Sequence, residues 1–200
     1  MKTPHRINGI IDLRLVLINK LLDLSHTIAH MNLQPNHLKN ELVTLLPLET
    51  GDFESLYAVA CDPLIWEQHP NPDRYKKEVF ENFFKGAIES KGAFLIRDTQ
   101  TNEILGCSRL YDYDATKGEI KIGYTFFSRS SWGKGINKEV KKLMISYALG
   151  FVDHIIFHVG ASNFRSQKAM EKLGAEKIGE EVVAYFGEAN RNNFVYRINK

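Results

Sequence analysis

The stretch Ser128-Arg129-Ser130-Ser131-Trp132-Gly133-Lys134-Gly135-Ile136-Asn137-Lys138-Glu139 separates two different periodicities. Before it, Glu119 to Phe126 alternates. Ile120, Ile122, Tyr124 and Phe126 share one face, and Glu119, Lys121, Gly123 and Thr125 the other, which predicts a strand. After it, Val140, Leu143, Met144, Tyr147, Ala148 and Phe151 recur at helical spacing and predict a long amphipathic helix. A bend carrying two close glycines lets the backbone turn with its N–H groups facing one point. The helix behind it adds its own unsatisfied donors and the positive end of its dipole. That combination binds phosphate oxygens.

Two familiar nucleotide motifs are excluded at this bend. A Walker loop needs a glycine at position 128 and Ser or Thr after the lysine, where this chain has Ser128 and Gly135. A dinucleotide fingerprint needs a third glycine where Lys138 stands.

Outward from the bend, His154 to Val159 reads as a strand. Asn163 caps a helix carrying Ala169, Met170 and Leu173, which Gly174 stops. Two strands, about Ala175–Phe186 and Asn193–Asn199, finish the chain. Upstream, Leu42–Leu46 reads as a strand ended by Pro47. A helical pattern runs from Asp52 through Phe53, Leu56, Tyr57 and Ala60 and closes at Pro63. Trp66 to Asp73, with Pro70 and Pro72, is a loop. Val79, Phe80, Phe83, Phe84, Ala87 and Ile88 have helical spacing, and Ala93–Arg97 with Ile104–Tyr111 makes a hairpin across the turn Asp98–Asn102.

The chain has 200 residues, 44% apolar and 25% charged, an ordinary globular balance. Its net charge of +2 is too even for the broad basic field of a dedicated nucleic-acid binder. Cys61 and Cys107 form no metal or redox motif, so the expectation is a cytoplasmic protein with two free thiols.

Residues 1–40 stand apart as an N-terminal extension to a domain spanning 41–200. The apolar positions between Ile10 and Leu24 suit a docking or dimerising helix, and a homodimer is one expected use of it. Asp12, Arg14, Lys20 and Asp23 interrupt the run, which excludes a membrane span, and no small-x-small site marks a signal peptide. A membrane-surface helix is disfavoured by the few cations on its polar face. Met31 leaves residues 1–30 readable as an upstream extension.

The order strand, W-G-K-G-x-N, long helix, strand, N-F-R-S, short helix, L-G-A resembles the GCN5-related N-acetyltransferase superfamily. Within it the resemblance is to the ribosomal-protein N-terminal acetyltransferase branch, and Trp66-x-x-His69-Pro70-x-x-x-Arg74 adds to it. The family's Q/R-x-x-G-x-G/A loop falls on Trp132 to Asn137, with Trp132 at the Gln/Arg position and Asn137 at the small last position. The resemblance implies a mixed α/β fold: a central, mostly antiparallel seven-stranded sheet flanked by helices, with one splayed parallel pair, here Glu119–Phe126 and His154–Val159. It implies acetyl-CoA as co-substrate, with no metal, and a primary amine as acceptor.

On that reading the amides of Gly133, Lys134, Gly135, Ile136 and Asn137 hold the diphosphate, with charge from Lys138. The pantetheine arm lies in the splay and pairs with exposed backbone. An N–H near Tyr124 polarises the thioester carbonyl, Phe126 and Trp132 border the cofactor, and Asn163 touches the arm. Ser166 is the candidate acid for the leaving thiolate and Glu119 the candidate base. Trp66, His69 and Arg74 are candidate acceptor-binding residues. A lysine amine is only about 0.1% neutral near pH 7.4, a cost of roughly 4 kcal/mol, whereas an α-amine with a pKa of about 7.7–8.0 costs well under 1 kcal/mol. A protein N-terminal α-amine therefore needs only a weak base. Small-molecule amines, other acyl-CoA donors and a CoA-binding regulatory module without turnover are the alternatives.

Other features carry bland readings. His154 and His158 would chelate a metal on a helix, but on a strand they lie roughly 13 Å apart. Lys138, Lys141 and Lys142 make a basic cluster, read as the solvated helix face or a contact for the 3′-phosphate of CoA. Phe80, Phe83 and Phe84 are core.

Overall fold

The computed structural model describes residues 31–184 and 189–200. The account below is of the unit Asn32–Lys200. The helix expected within residues 1–30 and the end of the strand expected up to Phe186 lie outside the described residues.

Residues 32–40 belong to this unit. Gln34 Nε2 donates to the Ala93 carbonyl at 2.7 Å, and the Leu45 amide donates to the Leu38 carbonyl at 2.9 Å. The elements follow as β1 (Val43–Pro47), α1 (Phe53–Ala60), α2 (Lys77–Glu89), β2 (Ala93–Asp98), β3 (Ile104–Asp114), β4 (Glu119–Phe127), α3 (Ile136–Ala148), β5 (His154–Gly160), α4 (Phe164–Lys172), β6 (Glu176–Val183) and β7 (Arg191–Asn199). They form one seven-stranded sheet in the order β1-β2-β3-β4-β5-β7-β6. Every pairing is antiparallel except β4 with β5. That parallel pair holds for three residue pairs only, Glu119↔His154, Ile120↔Ile155 and Lys121↔Ile156, and then splays. Among the described residues no helix is long and apolar enough to cross a membrane.

The periodicities explain the two layers. On one side of the sheet α2 buries Phe80, Phe83, Phe84 and Ala87 with Leu56 and Ala60 of α1, Trp66, Leu95, Cys107 and Phe126. On the other, α3 buries Ile136, Val140, Met144 and Ala148 at spacings of four. The helix ends at Ala148, so Phe151 lies beyond it and is exposed.

One local departure positions the site. The alternation expected along β4 breaks at its centre. Cys107 pairs with Phe126 and Arg109 with Gly123, so Ser108 faces both Tyr124 and Thr125. This is a β-bulge, with Tyr124 in the left-handed region at φ +52°. The extra residue shifts parity: Ile120 and Ile122 keep one face, while Phe126 joins the α2 core and Tyr124 turns onto Phe83 and Tyr111.

Candidate active site

The glycine bend ends β4 through a short helical turn at Arg129–Ser131. Gly133 and Gly135 have φ of +77° and +79°, and a Cβ on either would meet nothing within 4 Å. Glycine is needed here for the left-handed backbone, not for room. Among the described residues, the amides of Gly133, Gly135, Ile136, Asn137 and Lys138 have no internal acceptor. Lys134 makes only a long 3.4 Å contact to Ser131 O. A row of open donors on left-handed glycines at a helix start is what a diphosphate requires. Lys134 and Lys138 are exposed beside it. Asn137 does not cap the helix; Gly135 holds the cap position, and Asn137 Oδ1 is buried without a partner among the described residues.

Trp132 braces the bend. Its Nε1 donates to the Phe127 carbonyl at 3.2 Å, and the Arg165 guanidinium lies 4.1 Å from its ring. Arg165 also donates to the Ile65 carbonyl at 3.0 Å, and Arg129 pairs with Asp62. These contacts tie the bend, the start of α4 and the 62–68 loop together. Asn163 caps α4 by accepting from the Ser166 amide at 3.0 Å. The Ser166 hydroxyl, half-buried on that first turn, makes no hydrogen bond among the described residues.

Three of the expected side chains are placed differently. Phe126 is core, so only its backbone can meet a ligand. Trp66 is 1% exposed, with Nε1 bonded to the Ala60 carbonyl at 2.8 Å, and it packs on Phe126 rather than lining a pocket. Glu119 stands where β4 and β5 are still paired, about 16 Å along the strand from Tyr124 at ~3.3 Å per residue, and lines a depression with Asp112, Asp114 and Lys121.

His69 and Arg74 do come together. Arg74 Nη1 is 3.1 Å from His69 Nε2, which accepts because a guanidinium only donates, and His69 Nδ1 lies 2.9 Å from the Asn71 amide and 3.1 Å from the Asn71 carbonyl. Burial first, then the charge of Arg74, holds the His69 pKa well below the ordinary value. Arg74 is itself 2% exposed and lies over Trp66, Phe83 and Tyr124. His69 borders a cleft with Glu67, Pro70, Ser162, Arg191 and Asn192. Gly160 lets Pro70 approach, since a Cβ there would lie 2.5 Å from Pro70 Cγ.

The bulge is held from both faces by buried cations that sequence reasoning missed. Arg109 lies 3.9 Å from the Tyr124 ring centroid. From α3, Lys141 Nζ donates to Thr125 Oγ1 at 2.6 Å and Ser108 Oγ at 3.1 Å. Lys141 is not on the solvated face: it is 3% exposed, and burial pushes its ammonium pKa down to about 7. Cys107 is buried and its thiol is pushed up to about 12, so it stays protonated and is no nucleophile. Among the described residues no cluster of His, Cys, Asp and Glu is suited to a metal ion.

Residues 43–176 match the family described as an acetyltransferase (GNAT) domain. Several solved structures share the fold. A GCN5-related N-acetyltransferase from Brucella melitensis is 17% identical over 86% of this chain and 84% of its own, with a TM-score of 0.70. An acetyltransferase of the same family from Bacillus anthracis is 21% identical over 80% and 96%, with a TM-score of 0.65. Spermidine N-acetyltransferase from Vibrio cholerae, in complex with CoA and spermine, is 18% identical over 80% and 96%, with a TM-score of 0.61. At these identities the likeness is one of fold. The splayed pair, the open amides and the family match agree: the chain belongs to the GNAT acetyltransferase family and is an acyl-CoA-dependent N-acetyltransferase.

Proposed function

We propose that the enzyme transfers acetyl from acetyl-CoA to the α-amine of a protein N-terminus, by direct attack in a ternary complex, as in the ribosomal-protein N-terminal acetyltransferase branch. The observation that carries this reading is the set of open amides from Gly133 to Lys138 around two left-handed glycines, at the mouth of the β4–β5 splay. They hold the diphosphate and aim the acyl arm into the splay, where unpaired strand edges can bond it as an added strand would. The thioester carbonyl then lies against the bulge, with a backbone N–H near Tyr124 to polarise it. Cys107, buried and held protonated, offers no thiolate to form an acetyl-enzyme. Ser166, with a hydroxyl unengaged among the described residues, donates toward the sulfur as the thiolate leaves. The acceptor enters beside His69, between the 66–72 loop and the start of β7.

An α-amine is favoured over a polyamine by the charge of that entrance. Arg191 acts on His69, Arg74 lies beneath it, and Glu67 is the one carboxylate among the described residues of the cleft. The test is radiolabelled acetyl-CoA with the full chain and a mixed pool of peptides with free N-termini and polyamines. Label on peptide α-amines is expected. Label on polyamines alone would replace this acceptor, and CoA binding without transfer would replace catalysis by a regulatory role.

A further inference from the structure

We propose that His158, held by Glu181, is the proton acceptor of the transfer: its Nδ1 takes the proton that the acceptor amine sheds. The inference rests on the functional reading above and assigns a role that Glu119 is too distant along β4 to fill directly.

His158 is on β5, two residues beyond Ile156, the last β5 residue paired with β4. Its flank toward β4 therefore opens on the splay rather than on a bonded strand. Continuing the Lys121↔Ile156 register by two residues brings it level with Gly123, beside the bulge at Tyr124. Strand parity puts it on the same face as Ile156, hence as Lys121 and Tyr111. That face carries the ring of Tyr124 against Tyr111.

The ring is set up as a base. Nε2 lies 3.1 Å from Glu181 Oε2 on β6, with the His158 side chain 2% exposed. A carboxylate accepts, so Nε2 carries the proton, and the lone pair sits on Nδ1. Nδ1 is buried and makes no hydrogen bond among the described residues. A polar atom so placed is rarely left without a role. The groups around the ring are Lys121 on β4, Asp112 on β3, Glu181 on β6 and Arg197, which pairs with Ile156 on β7; the direct β7 partner, Val195, is apolar. Burial and the Lys121 ammonium lower the pKa, and Glu181 and Asp112 oppose them, with a net fall below the ordinary value. The ring is therefore neutral near pH 7 and ready to accept.

The step balances. The ammonium gives one proton to Nδ1, and the freed amine pair forms the N–C bond to the acetyl carbon. The C–S bond breaks with its electrons on sulfur, Ser166 gives the thiolate a proton, and the second proton on the nitrogen returns to Ser166 as the neutral amide forms. Glu181 acts through the ring and is a positioning residue.

The experiment uses the full chain, acetyl-CoA and the α-amine peptide pool. In wild type the acid limb of kcat is expected below pH 6.5, and ¹⁵N-histidine NMR is expected to show the His158 proton on Nε2. His158→Gln is expected to lose about 100-fold in kcat at pH 7 with CoA affinity retained, the deficit narrowing as pH passes the amine pKa. Glu181→Gln, at a carboxylate 58% exposed and so replaceable without disturbing the core, moves the acid limb down; Lys121→Gln moves it up. An unchanged kcat and acid limb in His158→Gln, with wild type active, overturns the proposal alone. A proton found on Nδ1 overturns it whatever the acceptor. A wild type that transfers no label overturns the functional reading, and the base with it.

Discussion

Lys141→Met isolates the cost of a cation buried under the bulge. Among the described residues no carboxylate acts on the lysine; its partners are the hydroxyls of Ser108 and Thr125, and burial lowers its pKa from 10.5 to about 7. At about 1.4 kcal/mol per pKa unit, a charged Lys141 costs the fold on the order of 5 kcal/mol relative to a neutral one. The sign follows from proton counting. Between pH 7 and 10.5 the unfolded chain holds this proton and the folded chain does not, so this contribution to stability rises with pH across that window and is flat below it. Cys107, held up near 12 in the fold, loses its proton only in the unfolded chain as pH approaches the ordinary thiol value of 9.0; both proteins carry this contribution, so it cancels in their difference. Methionine fills similar volume, and Ser108 and Thr125 remain 2.8 Å apart and bond each other. Urea unfolding followed by tryptophan fluorescence at steps from pH 7 to 9.5 gives the difference between variant and wild type. The advantage of Lys141→Met is expected to be largest at pH 7 and to shrink by about 3 kcal/mol by pH 9.5. A difference curve flat across this range would refute the claim that the ammonium is desolvated.

Other variants probe the remaining parts. Gly133→Ala and Gly135→Ala place a side chain at positive φ in open space, so each should cost about 1 kcal/mol of stability without a clash and weaken CoA binding in calorimetry. Gly160→Ala drives a Cβ into the rigid Pro70 ring and should raise KM for the acceptor while leaving CoA affinity unchanged. Ser166→Ala removes a hydroxyl with no partner among the described residues; thermal stability should hold within about 0.5 kcal/mol while kcat falls. Cys107→Ala should retain transfer, and intact-mass spectrometry of wild type with acetyl-CoA alone should show no acetyl adduct.

The helices and strands were legible because their periodicities are strong and local. Val140, Met144 and Ala148 mark one buried stripe, and Asn163 and Gly174 punctuate α4 as their chemistry demands. The glycine bend was legible for the same reason, since two glycines before a helix have a backbone meaning. The bulge was not. Gly123-Tyr124-Thr125 reads as plain alternation, and only pairing with Ser108 reveals the extra residue that turns Tyr124 and Phe126 over. Lys141 looked like one of three solvated lysines because its hydroxyl partners come from β3 and β4. His158 looked like half of a failed metal pair, because Glu181 is brought to it across β7 by the β6–β7 hairpin. Side chains whose meaning depends on a distant strand leave no spacing to read.

The grip of the Gly133–Lys138 amides on a diphosphate is tested most directly by calorimetry comparing CoA with pantetheine, which carries the same arm without the phosphates. CoA is expected to bind, and pantetheine to bind at least about 100-fold more weakly, as loss of several charge-assisted hydrogen bonds requires. Equal affinity for the two, or no heat with CoA, would contradict it.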